Sequence, residues 1–205
     1  MTATLFLALS VTAAQAPKAQ AEEATARYDI APLIKLYPQN TPKAALESAV
    51  KAAEKGRYDY LAAHLMEPGF VDAESVSRGK AYAADVEADL RIRRQRETDL
   101  GSDLPREKRV PHEPDRLALL VASEAQVRGF QRFVADIREK SYDDPGQLKD
   151  LRRFARDGTI EESGDTAKVS LRDIKDRAVY LKKIGQRWYV ENRQIEEKPA
   201  AGASP

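Results

Sequence analysis

Two histidines, His64 and His112, are the side chains of this 205-residue chain whose ordinary titration range suits proton transfer near neutral pH. His64 stands in "YDYLAAHLM", close to Tyr58 and Tyr60. A general acid or base in that position could accelerate a reaction by about 10²- to 10⁴-fold. Ala63 and Met66 flank it, and no spacing marks a partner carboxylate, so no catalytic residue is assigned. His112, in "VPHEP", reads as a loop residue. The single tryptophan, Trp188, is either a core side chain or an aromatic floor on which a ligand could stack. Tyr58, Tyr60, His64 and Trp188 are therefore the candidate ligand-binding residues.

Other chemistries find no footing. There is no cysteine, which removes disulfides, thiol nucleophiles and thiolate metal ligands. No HxH or HExxH occurs, and Asp85, Glu87 and Asp89 alternate at a spacing that scatters them around a helix. "DDPG" at 143–146 is a helix-capping pattern and not a calcium loop. The chain lacks a Gly-rich phosphate loop and a Ser nucleophile elbow. No metal and no cofactor is implied.

The arginine-rich stretch "RIRRQRETDLGSDLPREKR" invites a nucleic-acid reading. Between residues 85 and 116, however, eight basic residues stand against nine acidic ones, a local net charge of −1. Counterion release needs an uncompensated cationic cluster, and there is no aromatic in the stretch to stack a base. A solvated helix with internal ion pairs is the expectation, with no nucleic-acid partner. Over the whole chain 34 Lys and Arg balance 33 Asp and Glu.

The elements that must position these residues follow from capping and periodicity. "LFLALSVTAA", residues 5–14, is the length of a signal-peptide apolar region, and Ala19-Gln20-Ala21 is a small-x-small cleavage site. A cleaved secretory leader over 1–21 is expected, with export and no stable membrane insertion afterwards. Residues 22–40 read as a linker and an extended arm interrupted by Pro32 and Pro38. Thr41-Pro42 opens a helix that Gly56 stops. A second short helix carries Tyr58, Leu61, Ala62 and Leu65 on one face and ends at Pro68-Gly69.

Asp72 can cap a long helix from about Ala73 to Glu97, with a narrow stripe of Val76, Ala83, Val86 and Leu90. A loop with Pro105, Pro111 and Pro114 follows, and Leu117–Val121 is open between helix and strand. Ser123-Glu124-Ala125-Gln126 is a capping box before Val127, Phe130, Val134 and Ile137. Asp144-Pro145 opens a further helix that ends at Gly158.

From Thr159 the apolar period becomes two. "TIEES", Gly164-Asp165 and "TAKVSLR" predict one hairpin; "AVYLKKI", Gly185-Gln186 and "RWYVENR" predict another. That loop pairs Lys183 with Trp188, Leu181 with Val190 and Val179 with Asn192, which turns Trp188 toward the helices and leaves Tyr180 and Tyr189 half-exposed. The tail 196–205 is expected to be disordered.

Helices first and an antiparallel sheet last predict an α+β fold with N-terminal helices packed on a C-terminal sheet. The opening "TPKAALESAVKAAEKGRYDYLAAHL" and the close "GDTAKVSLRDIKDRAVYLKKIGQRWYVEN" resemble the first and last elements of the ketosteroid-isomerase-like, SnoaL-like superfamily of cone-shaped rolls, and more narrowly its exported members. The resemblance implies one α+β domain over 41–195, with 72–144 as a helical, charged insertion. It also implies a cavity between sheet and first helix. The expected role is a non-catalytic binding or interaction module for a protein or small-molecule ligand, with oligomeric state open. The alternative is a small-molecule enzyme or carrier with Tyr58, Tyr60 or His64 at the cavity mouth. An exposed apolar strip along Ala73–Leu90 or Leu117–Ile137 would distinguish the first; convergent polar groups in a cavity would distinguish the second.

Overall fold

Thr41 accepts a hydrogen bond from the Ala44 amide at 3.1 Å, and Pro42 supplies the fixed φ of a first helical turn. Helix α1, Pro42–Glu54, follows, and Gly56 at φ 66° turns the chain out of it. The computed structural model describes residues 25–100, 105, 108–109 and 113–193. The expected leader, His112 and the tail 196–205 lie outside the described residues. Helix α2, Tyr58–Tyr60, runs into one π-helical turn, Leu61–Leu65, whose widened ring closes from the Met66 amide to the Leu61 carbonyl at 3.0 Å.

The helical middle differs from expectation in three places. Pro68 does not end a helix but begins one: α3 spans Pro68–Gly79, with proline in its first turn where no amide is needed. Asp72 is therefore inside α3 and caps nothing. The predicted long helix is also divided, since α3 gives way at Gly79, the weakest helix former in the stretch, to a 3₁₀ turn, Lys80–Tyr82. Helix α4, Ala83–Asp99, then starts afresh. Lastly, α5 runs unbroken from Pro114 to Asp143, so Leu117–Val121 is helical and the capping box lies in a helix interior. A local capping pattern ends nothing when the apolar stripe continues on both sides of it.

Helix α6, Pro145–Asp157, is capped by Asp144, whose carboxylate accepts from the Gly146 amide at 3.1 Å. Four antiparallel strands follow among the described residues in the order β1-β2-β3-β4: Thr159–Ser163, Thr166–Leu171, Ile174–Ile184 and Arg187–Val190. Gly164 and Gly185 each take φ 60° at the first position of a two-residue turn, as the primed hairpin turns require. The β3–β4 register sets Lys183 against Trp188 and Leu181 against Val190, as expected from the loop. β4 ends at Val190, so the Val179–Asn192 pair is not made. A third turn at Arg172-Asp173, unmarked by glycine, joins β2 to β3.

Trp188 is 4% exposed and packs with Ala45 and Leu46 of α1, Phe154 of α6, and Ala167, Val169 and Leu181 of the sheet. Emptying such a site costs about 3–5 kcal/mol. The architecture is thus α+β, with helices packed against a C-terminal antiparallel sheet. Tyr180 and Tyr189, expected half-exposed on the other face, are 5% and 6% exposed. The Arg193 guanidinium lies 4.1 Å from the Tyr180 ring centre and that of Arg187 lies 5.9 Å from the Tyr189 ring, so cationic side chains cover what the helices do not.

Candidate functional site

Tyr60 and His64 do come together, with ring centres 4.9 Å apart, and Tyr37 extends the row at 4.5 Å from Tyr60. Their polar atoms are spent on the arm. The Tyr60 hydroxyl accepts from the Leu33 amide at 2.9 Å, and His64 Nε2 lies 2.8 Å from the Ile30 carbonyl. A carbonyl only accepts, so Nε2 carries the proton in the neutral ring. His64 is 3% exposed; burial pushes its pKa down, the hydrogen bond to Ile30 opposes this in part, and Arg27 and Arg187 add to the lowering. Burial raises the Tyr60 phenol. The pair therefore fastens the arm to the π turn, an assignment that its spacing alone did not reveal.

Trp188 is held in a second arrangement built on Gln39, which is 2% exposed. Gln39 Nε2 donates to the carbonyls of His64 and Trp188, both at 2.9 Å, and the Trp188 amide donates to the Gln39 carbonyl at 2.9 Å. One carboxamide thus joins arm, π turn and last strand. Beside it the Glu67 amide donates to the Val190 carbonyl at 2.9 Å, so the outer edge of β4 is partly covered. Tyr58 lies apart from Tyr60, His64 and Trp188, in the wall of a cavity of about 240 Å³ between α1, α5, α6 and β3.

The arm makes one further anchor that no motif announced. Arg27 and Ile30 pair across a two-residue turn in which Tyr28 and Asp29 both hold left-handed backbone, φ 53° and 62°. Such conformations cost roughly 1–3 kcal/mol each in non-glycine residues. Tyr28 stacks flat on Phe130 of α5, centres 3.9 Å apart, and its hydroxyl donates to Asp72 Oδ1 at 2.6 Å. Arg27 binds the same oxygen at 2.5 Å and the Ala63 carbonyl at 2.7 Å. Burial, and then the Asp72 hydrogen bond, raise the Tyr28 phenol. Asp72, read from sequence as a cap, is the receptor for this anchor.

Next to that anchor α3 and α5 touch backbone to backbone. A Cβ placed on Gly129 would fall 2.0 Å from the Ser75 carbonyl oxygen and 2.6 Å from the Gly79 amide nitrogen. Along the same pair of elements lies a groove of about 570 Å³. Gly79, Ala83, Ala118, Ala122 and Ala125 line it with small side chains, Val76 and Leu117 add larger ones, and Lys80 and Glu87 are its charges. Val76, expected inward, is 48% exposed. Leu119, beside Ala118 on α5, is 72% exposed and Ile92 of α4 is 51% exposed.

The charged residues around this region are paired partly within α4, as the interleaving suggested, and partly across to α5. Arg91 and Glu87 pair along α4 at 2.6 Å, whereas Arg128–Asp89 at 2.6 Å and Arg93–Glu124 at 3.4 Å tie α4 to α5. Among the described residues no three acidic or histidine side chains gather as a metal site, and no helix is long and apolar enough to cross a membrane. Compared with protein-family models, with curated proteins and with solved structures, the chain matches none.

Proposed function

We propose that this protein is a non-catalytic interaction module, exported on its leader, that docks an amphipathic helix of a partner protein in the groove between α3, α4 and the first half of α5. One observation carries the reading. The groove is open, and its floor is built of glycine and alanine, so a second backbone can approach closely without displacing side chains. Val76, which lines the groove and is exposed, offers apolar contact there, where an ordinary surface would be polar.

The charges on the groove support a partner of complementary charge. Lys80, in the 3₁₀ turn, and Glu87, in α4, are seven residues apart on the groove wall. The complementary helix has an alanine- or leucine-rich face, an acidic side chain opposite Lys80 and a basic one two turns away opposite Glu87. The resemblance of the terminal elements to ketosteroid-isomerase-like rolls is compatible with this role, because that scaffold implies no particular chemistry.

The absence of cysteine makes the test direct. A fluorophore on Leu119→Cys is titrated with designed helical peptides bearing Glu and Lys seven residues apart in either order. The matching order is expected to bind saturably and several-fold more tightly, and Val76→Glu is expected to weaken it at least tenfold with the melting temperature unchanged. Equal binding by the Val76→Glu variant would overturn the assignment. Concentration-dependent self-association abolished by Val76→Glu would give the groove to a second copy of the chain.

A further inference from the structure

A second site is independent of the groove. Tyr58 opens α2 and is 6% exposed, packed among Ala53, Ala62, Phe130 and Val134. Its hydroxyl has no hydrogen-bond partner among the described residues, yet no buried side-chain oxygen there is left unsatisfied. The hydroxyl therefore keeps access to open space, and the cavity that Tyr58 lines provides it. Buried phenols ordinarily find a protein partner, so a tyrosine kept without one beside a cavity marks a place where something else binds.

The rest of the wall describes that ligand. Leu61, Leu148, Leu151, Phe154 and Val179 form an apolar surface. Opposite them Arg177 pairs with Asp150 at 3.0 Å. That contact uses one of five guanidinium donors, and the guanidinium is the more open half of the pair, 46% exposed against 24% for the carboxylate. Two other polar groups are already engaged: Ser141 donates to the Ile137 carbonyl at 2.8 Å, and Gln147 donates to Asp144 at 3.1 Å. What is left to a ligand is a phenol hydroxyl and spare guanidinium N–H groups, which are donors looking for an acceptor. At about 240 Å³ the space lies just below the ~300–1,000 Å³ of drug-sized pockets, so the body is one ring or a short chain.

We infer that this cavity binds a small apolar monocarboxylate, its carboxylate between Arg177 and the Tyr58 hydroxyl and its body against Leu148, Leu151 and Phe154. Asp150 holds the guanidinium in place and, by repelling the anion, restricts it to the Tyr58 side.

Benzoate, with methyl benzoate as the uncharged comparator, is the probe. In an amide-resolved NMR titration of the full chain, benzoate is expected to give saturable shifts confined to residues around Tyr58, Leu148, Leu151 and Val179. Tyr58→Phe should leave the melting temperature within a degree and weaken benzoate several-fold. Arg177→Gln should abolish the preference for benzoate over its ester. Shifts that fail to saturate or scatter over the surface overturn the proposal. So does an ester that binds the unaltered protein as well as benzoate, and so does a Tyr58→Phe variant that melts several degrees lower, because its hydroxyl would then be a structural partner.

Discussion

His64 shows how one residue changes meaning between sequence and structure. As a letter in "AAHLM" it is the best acid–base candidate in the described chain; folded, it is buried, neutral and bonded to a backbone carbonyl of the arm. This has a pH consequence. Its pKa is lower in the folded chain than the ordinary 6.5, so below that value the unfolded chain takes up a proton that the folded chain resists. Stability therefore falls as pH drops below about 6.5 and continues to fall until the depressed folded value is reached. The melting temperature, followed from pH 7.5 to 5.5, should decline, and His64→Gln should flatten that decline. An identical slope in the variant would mean that other groups cause it. Trp188 was legible at the same scale, because a period of two and a two-residue loop fix its face without reference to anything distant. Tyr28, Gln39 and Asp72 were not, since their partners lie tens of residues away and no local spacing encodes them.

Among the elements, the legible ones carry their own signals at both ends. Thr41-Pro42 and Asp144-Pro145 cap α1 and α6 as read, and both glycine turns of the sheet sit where expected. The misread elements are those in which one residue type serves two purposes. Proline can stop a helix or start one, and Pro68 starts α3 because the chain before it is already turned by the π-helical ring. Glycine can stop a helix or let another element approach: Gly129, inside the helix that the Val127–Ile137 stripe predicts, sits where α3 leaves room for nothing larger. Alanine there would ordinarily help a helix by about 0.5–1 kcal/mol. Here its Cβ meets backbone atoms that cannot swing aside, and overpacking of this kind costs about 1–3 kcal/mol. Gly129→Ala is thus expected to lower the melting temperature by several degrees. Gly69→Ala, whose added Cβ meets nothing within 4 Å, should hold or raise it. Equal behaviour of the two in thermal unfolding would remove the close crossing of α3 and α5 from the account.

For the molecule as a whole, charge pairing decides what the arginines can do. The stretch on α4 that reads as basic is tied to Glu87 within its helix and, through Asp89–Arg128 and Arg93–Glu124, to its neighbour. Exposed pairs of this kind contribute only about 0–1 kcal/mol each to stability. They nonetheless set an acidic group beside Arg91, Arg93 and Arg128. Binding to a 20-base-pair duplex at physiological salt should stay weaker than about 10⁻⁵ M, within the non-specific range, in a fluorescence anisotropy titration. A submicromolar complex would show that the pairs open on contact. The α+β layout was visible at this scale from the order of elements alone, whereas the groove was not, because it depends on where α3 breaks and how closely α5 approaches.

The contact between Gln39 and Trp188 joins residues 149 positions apart. A chain made from its N-terminus at about 5–20 residues per second leaves roughly 7 to 30 s between the two. Until β1–β3 are made, Ala45 and Leu46 of α1 have no sheet above them, and until β4 follows the carboxamide that will bind three segments has only the first two within reach. The molecule therefore closes from its end. β4, made after the other described strands, completes both the core and the clamp, and a nascent chain halted before Arg187 would hold a core with its Trp188 site empty and Gln39 short of its third segment.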